Sequence, residues 1–209
     1  RDVFKKTTFE RKSKNIEIDF DSIFIRMAEN FNLTNNQIDF LKSTEMKFEL
    51  DFVEPIPSKI NELLRYSEEG NDVVLISDMY LPKYFIKKMI DKADKRLNNF
   101  KLYLSSDIGK QKSTGLLYKH IFFDLDYQYS LWTHFGDNLH ADNKAAKKLG
   151  INSIHHAMNK FLKFEKDLIN IDNSLDCYKI SSLINKKRWS LLDSHNMDYN
   201  ESEFYGDQV

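Results

Sequence analysis

Apolar residues change their spacing about a third of the way along the chain. Phe20, Ile23, Phe24, Met27 and Phe31 recur three or four positions apart, which predicts a helix over Asp21 to Phe31 behind Asp19 or Asp21 as candidate caps. A second helix is expected from near Asn36, carrying Ile38, Leu41, Phe48 and Phe52. It should stop at Glu54, because Pro55 disfavours helical geometry in the residue before it. A third, Pro57 to Tyr66, carries Ile60, Leu63 and Leu64, and Glu68-Glu69-Gly70-Asn71 reads as a turn. No strand pattern precedes that turn.

The pattern then shortens. Val73 to Ile76 is a continuous apolar run with three β-branched side chains, which suits a strand buried on both faces. Ser77 and Asp78 stand where the run stops, and Pro82 fits the first turn of a helix. That helix, Lys83 to Leu97, lines up Phe85, Ile86, Met89, Ile90, Ala93 and Leu97, with its lysines facing water. Phe100 to Leu104 is a second strand, ending in Ser105-Ser106-Asp107. Lys112 to Leu125 is a helix, Leu131 to Phe135 a third strand ending in Gly136-Asp137-Asn138, Leu139 to Leu149 a helix closed by Gly150, and Ile151 to Ile154 a fourth strand. Strands alternating with helices predict an α/β fold with a parallel sheet covered on both faces. Beyond His156 the pattern loosens into two expected helices, around 161–169 and from Tyr178 to Leu192, with a polar loop between them.

Composition narrows the setting. The 31 basic and 32 acidic residues nearly cancel, so no overall field draws the chain to nucleic acid or an anionic membrane. Asn185 to Trp189 reads NKKRW, which on an acidic tail is a solvated helix face rather than a nucleic-acid patch. The one cysteine, Cys177, excludes an intramolecular disulfide and fits a reducing compartment. No apolar run approaches the ~20 residues of a membrane span and no signal-peptide core opens the chain, so the expected location is cytoplasmic.

Chemistry gathers at three strand ends: Ser77; Lys112, three residues past Gly109; and Asp137 with Asp142 a turn further on. Each alone is an ordinary cap, surface lysine or turn residue. Their types and order resemble the haloacid dehalogenase superfamily of hydrolases and phosphatases. More narrowly, LISDMYLP, SSDIGKQKSTGLLY and HFGDNLHAD are similar to a bacterial branch found beside glycosyltransferases in surface-polysaccharide proteins. The resemblance runs from about Ile16 to Ile154. It implies a Rossmann-like core over residues 67–156, a helical cap over 1–66, and a helical C-terminal appendage over 157–209.

It also implies roles. Phosphate-ester hydrolysis through an aspartyl-phosphate needs an aspartate nucleophile, Mg²⁺ and donors for the remaining charge. Ser77 would donate to a phosphoryl oxygen and Lys112 would neutralise charge shared by nucleophile and phosphate. Asp137 would bind Mg²⁺, and Asp142 would join the metal shell or orient Lys112. Asp78 and Asn138 are expected to face the substrate, a small phosphorylated metabolite or sugar phosphate. His134, inside the third strand, is expected to be a packed histidine or a family signature.

The resemblance fails at the front, where the family's nucleophile closes a first apolar strand. Asp2-Val3-Phe4 echoes that motif faintly, with Lys5 and Lys6 in place of the expected acid and threonine. The expected core therefore lacks its first strand, and the chain reads as a piece of a longer protein, with a fused glycosyltransferase domain as an expected partner. The alternative is a catalytically inactive interaction module of a larger glycan-assembly protein.

Overall fold

The computed structural model describes residues 17–156 and, beyond them, residues 167, 180, 183, 184, 186 and 187. Helix α1, Phe20–Phe31, starts where the Asp19 carboxylate accepts from the Ser22 amide at 2.8 Å, and it stops at Asn32 in the left-handed region. It buries Phe20, Ile23 and Phe24. Phe31, expected on the same face, is 60% exposed because the packed stretch ends a turn earlier, at Met27. Helix α2, Asn35–Asp51, opens on a capping box in which the Gln37 side chain accepts from the Thr34 amide and the Thr34 hydroxyl accepts from the Gln37 amide. It ends three residues short of Glu54, and Lys92 donates to the Leu50 and Asp51 carbonyls left open there. Phe48 and Phe52 lie outside the core and stack on each other in solvent. Helix α3, Pro57–Glu68, leads into the strands.

Four short strands follow: β1 (Val74–Ser77), β2 (Lys101–Leu104), β3 (Thr133–Gly136) and β4 (Asn152–His155). They form two parallel pairs, β1 with β2 and β3 with β4, in registers that run from Val74↔Lys101 to Ser77↔Leu104 and from Thr133↔Asn152 to Gly136↔His155. The molecule thus mixes helices with two small parallel sheets. Among the described residues β1 and β3 each have one strand neighbour, so each keeps one open edge. The openness shows in β1: its apolar run was expected to be buried on both faces and is half-buried throughout.

Between β1 and β2, α4 (Lys83–Ala93) is shorter than its apolar pattern. Asp94 turns extended and its carboxylate accepts from the Arg96 amide, restarting the chain as a 3₁₀ turn over Lys95–Asn99 that still buries Leu97. After β2 come α5 (Ser105–Ile108) and α6 (Leu116–Leu125). After β3 comes a π-helix, Leu139–Lys144, continuing as α7 (Ala145–Lys148).

The core is layered around these elements. Phe20 and Phe24 of α1, Phe85 and Ile86 of α4, Leu81, and Leu102 and Leu104 of β2 form one cluster. Tyr118, Leu117 and Ile121 of α6 pack with Tyr103, Ala145, Ala146 and Ile151 in the neighbouring clusters, where Ile76 of β1 and Trp132 before β3 touch both. No helix among the described residues is long and apolar enough to cross a membrane. Of the expected helix over Tyr178 to Leu192, Ile180, Leu183, Ile184, Lys186 and Lys187 are described and helical, and Lys186 pairs with Glu54 at 2.5 Å. Asp2, Cys177, and the rest of the C-terminal helices and of NKKRW lie outside the described residues.

Candidate active site

Lys112 was expected to open a helix and instead lies in the turn ahead of one. Gly115 takes a left-handed φ of +77°, which a helix running on from Lys112 could not contain, so α6 begins at Leu116. The turn exposes the Lys112 amide, which donates to both carboxylate oxygens of Asp78 at 3.0 Å. Its ammonium reaches the other way and donates to Asp142 Oδ1 at 2.5 Å, with the side chains 11% and 3% exposed. One residue therefore joins the end of β1 to the segment after β3.

Asp142 is held on every side. Oδ1 also faces His134 Nε2 at 3.0 Å, and Oδ2 accepts from the Asn138 amide at 2.9 Å. Its carbonyl accepts from the Ser153 hydroxyl of β4 at 2.8 Å, while the Tyr118 hydroxyl donates to the adjoining Ala141 carbonyl. Asn138 caps the π-helix, its side-chain oxygen accepting from the His140 and Ala141 amides, so that oxygen is already engaged rather than free for substrate. Gly136 allows the close approach: a Cβ there would lie 2.3 Å from Asp142 Cγ.

Ser77 ends β1, and its hydroxyl has no hydrogen-bond partner among the described residues. The loop after it is tied down by buried Ser105, whose hydroxyl accepts from the Met79 amide at 3.0 Å, and by Ser106, which donates to the Leu81 carbonyl. Asp137 is exposed at the end of β3, its carbonyl accepting from His155 Nε2 at 2.9 Å. Hydrogen bonds thus link Asp78, Lys112, Asn138 and Asp142 in one network, with Ser77 and Asp137 next to it in the chain. Two contributors were not expected at the site from the sequence, His134 as a partner of Asp142 and Ser105 as a tie for the loop after β1, while Gly136 stands in the expected strand-end motif. His134 and Gly136 lie in β3, just ahead of Asp137, and Ser105 follows β2 as the first residue of α5.

Electrostatics separates the two network carboxylates. Desolvation of its carboxyl pushes Asp78 up, against the lowering by the Lys112 amide and charge, although the residue as a whole is exposed. Burial also works against ionisation of Asp142, but hydrogen bonds from His134 and Lys112, the Lys112 charge and the Asn138 amide overcome it and hold that carboxyl far below its ordinary range. A depressed pKa means that the unfolded chain binds the proton more tightly than the folded one. The stability Asp142 contributes is therefore complete above its unfolded pKa of about 4 and is lost as pH falls below that. Urea unfolding at pH 7 and pH 3 should show a larger acid loss for the wild type than for Asp142→Asn; equal losses would remove Asp142 as the source.

The same bonds bear on metal binding. With Oδ1 shared by Lys112 and His134 and Oδ2 taken by an amide, Asp142 fits the role of orienting Lys112 and does not fit a metal ligand. Asp137 stands exposed just after β3. Among the described residues no group of three or more His, Cys, Asp and Glu side chains is placed to hold a cation. Compared with protein-family models and with curated proteins, the chain matches none.

Proposed function

We propose that the chain is a phosphate-ester hydrolase domain of the haloacid dehalogenase type, acting on a small phosphorylated metabolite or sugar phosphate. The observation that carries this reading is the single lysine that binds Asp78 through its amide and Asp142 through its ammonium, setting a buried positive charge between the ends of two strands. Ligands of open α/β sheets bind beyond the carboxyl ends of the strands. There the Ser77 hydroxyl, without a hydrogen-bond partner among the described residues, would donate to a phosphoryl oxygen, and Lys112 would offset the charge brought together when an anionic nucleophile meets an anionic phosphate. Asp137 would hold Mg²⁺, which would neutralise phosphoryl charge, and the remaining oxygens would come from water and phosphate, as this ion prefers.

The open edges of β1 and β3 support a Rossmann-like core lacking its first strand. A parallel strand between them would complete a continuous sheet, and an aspartate at its carboxyl end would face Ser77 and Lys112. In this reading both strand and nucleophile come from outside residues 17–156. The same edges favour a second reading, an interaction module that accepts a partner's strand and performs no chemistry. A polysaccharide-assembly setting, a fused glycosyltransferase partner and a cytoplasmic location rest on the sequence resemblance and composition alone.

Binding tests the site without requiring turnover. Isothermal titration of this chain with inorganic phosphate should give saturable one-site binding, weakened about tenfold or more by Lys112→Ala, the equivalent of ~1.4 kcal/mol for a lost charged hydrogen bond. Phosphate binding that Lys112→Ala leaves unchanged would sink the assignment.

A further inference from the structure

We infer that His134 is the positioning residue for Lys112, acting through Asp142; this rests on the function proposed above. An ionised carboxylate only accepts hydrogen bonds, so the 3.0 Å contact between His134 Nε2 and Asp142 Oδ1 requires the proton to sit on Nε2. Two donors from different elements then fix the plane of the Asp142 carboxylate: the Asn138 amide on Oδ2, and the His134 ring, from within β3, on Oδ1. With both anchored, the remaining lone pair of Oδ1 is aimed at Lys112, whose ammonium meets it at 2.5 Å. Removing the Asn138 anchor would disturb the turn, but removing His134 would free one end of the carboxylate alone. The imidazole itself is fixed edge-on against Tyr118, 5.3 Å between centroids, and Tyr118 is fully buried and hydrogen-bonded to Ala141. Strand, histidine, aspartate and lysine thus form a rigid relay from the fold to the proposed phosphate-binding charge.

A histidine serving only as packing predicts something different, and two substitutions separate the cases. His134→Phe keeps a ring against Tyr118 and loses the donor, whereas His134→Gln loses the ring and keeps an N–H at similar reach. The readout is the ¹⁵N–¹H signal of the Lys112 ammonium, visible when a buried ion pair slows exchange with water and assigned by its loss in Lys112→Arg. The expected result is a Lys112 signal in the wild type, its loss in His134→Phe and its retention in His134→Gln. A wild type lacking the signal, a signal retained in His134→Phe, or one lost in both variants would overturn the inference. Titration with inorganic phosphate forms the second arm, with affinity about tenfold lower in His134→Phe and within twofold of wild type in His134→Gln. A wild type that shows the ammonium pattern but binds no phosphate would overturn the proposed function and leave the positioning role in place.

Discussion

On the proposed function, an otherwise identical polypeptide given an added apolar strand that ends in aspartate beside β1 is expected to hydrolyse phosphate monoesters in the presence of Mg²⁺, whereas the groups described in residues 17–156 bind phosphate without an attacking nucleophile. The contrast follows from the groups present. Ser77 and Lys112 can meet the charge of a phosphoryl group, but neither is an activated nucleophile: the serine has no base within hydrogen-bond reach among the described residues, and the lysine is a buried cation paired with Asp142. Loss of a covalent nucleophile costs on the order of a millionfold in the best-studied hydrolases, far outside assay noise. In the extended protein, Lys112→Ala should remove most of the turnover. Asp137→Asn should raise the Mg²⁺ requirement or abolish activity.

The outcomes discriminate between the two readings. An extended protein that stays inactive across a broad panel of phosphate esters favours the module that only accepts a strand. Activity in this chain itself would place the nucleophile within its own 209 residues, with Asp78 and Asp2 the first to mutate. Asp78 is the weaker of the two, since both its oxygens already accept from the Lys112 amide.

Local pattern made the elements legible. A continuous run with three β-branched residues marked β1, short apolar runs marked the other strands, helical spacing marked the helices, and Asp19 and Gly150 stand at helix ends as expected caps. Long-range contacts decided the rest. Nothing in the spacing of α2 says that Lys92, in another helix, will close it at Asp51, and nothing in Lys112 to Leu125 says that Gly115 will take a left-handed turn. The burial of β1 was overestimated for the same reason: four apolar residues report what a strand can bury, whereas its actual burial depends on a neighbour on each flank. At the site, residue type and order picked out Lys112 and Asp142. That the two bond each other, through a carboxylate steered by His134, is a three-dimensional fact with no signature in spacing.

Gly136→Ala is expected to be the most damaging single-methyl change in the described region. An added Cβ would stand 2.3 Å from Asp142 Cγ and 2.5 Å from its Cβ and Oδ2, well inside van der Waals contact. Asp142 has nowhere to move. Its carbonyl is bonded to Ser153, the adjoining Ala141 to Tyr118, and both carboxylate oxygens are taken. Overpacking alone costs ~1–3 kcal/mol, and displacing one member of a buried ion pair ~3–5 kcal/mol. A loss of about 3 kcal/mol would lower Tm by roughly 6–12 °C in a chain of this size. Gly109→Ala is the control, since nothing lies within 4 Å of its added Cβ and the cost there is only the left-handed backbone at φ +74°, ~1–2 kcal/mol. The mechanism is tested by combining Gly136→Ala with Lys112→Ala. If the alanine methyl acts by pushing Asp142 off the lysine, the double variant loses less than the sum of the two, because the second change removes a bond already broken. Additive losses would mean that Gly136 matters to the strand and not to the ion pair.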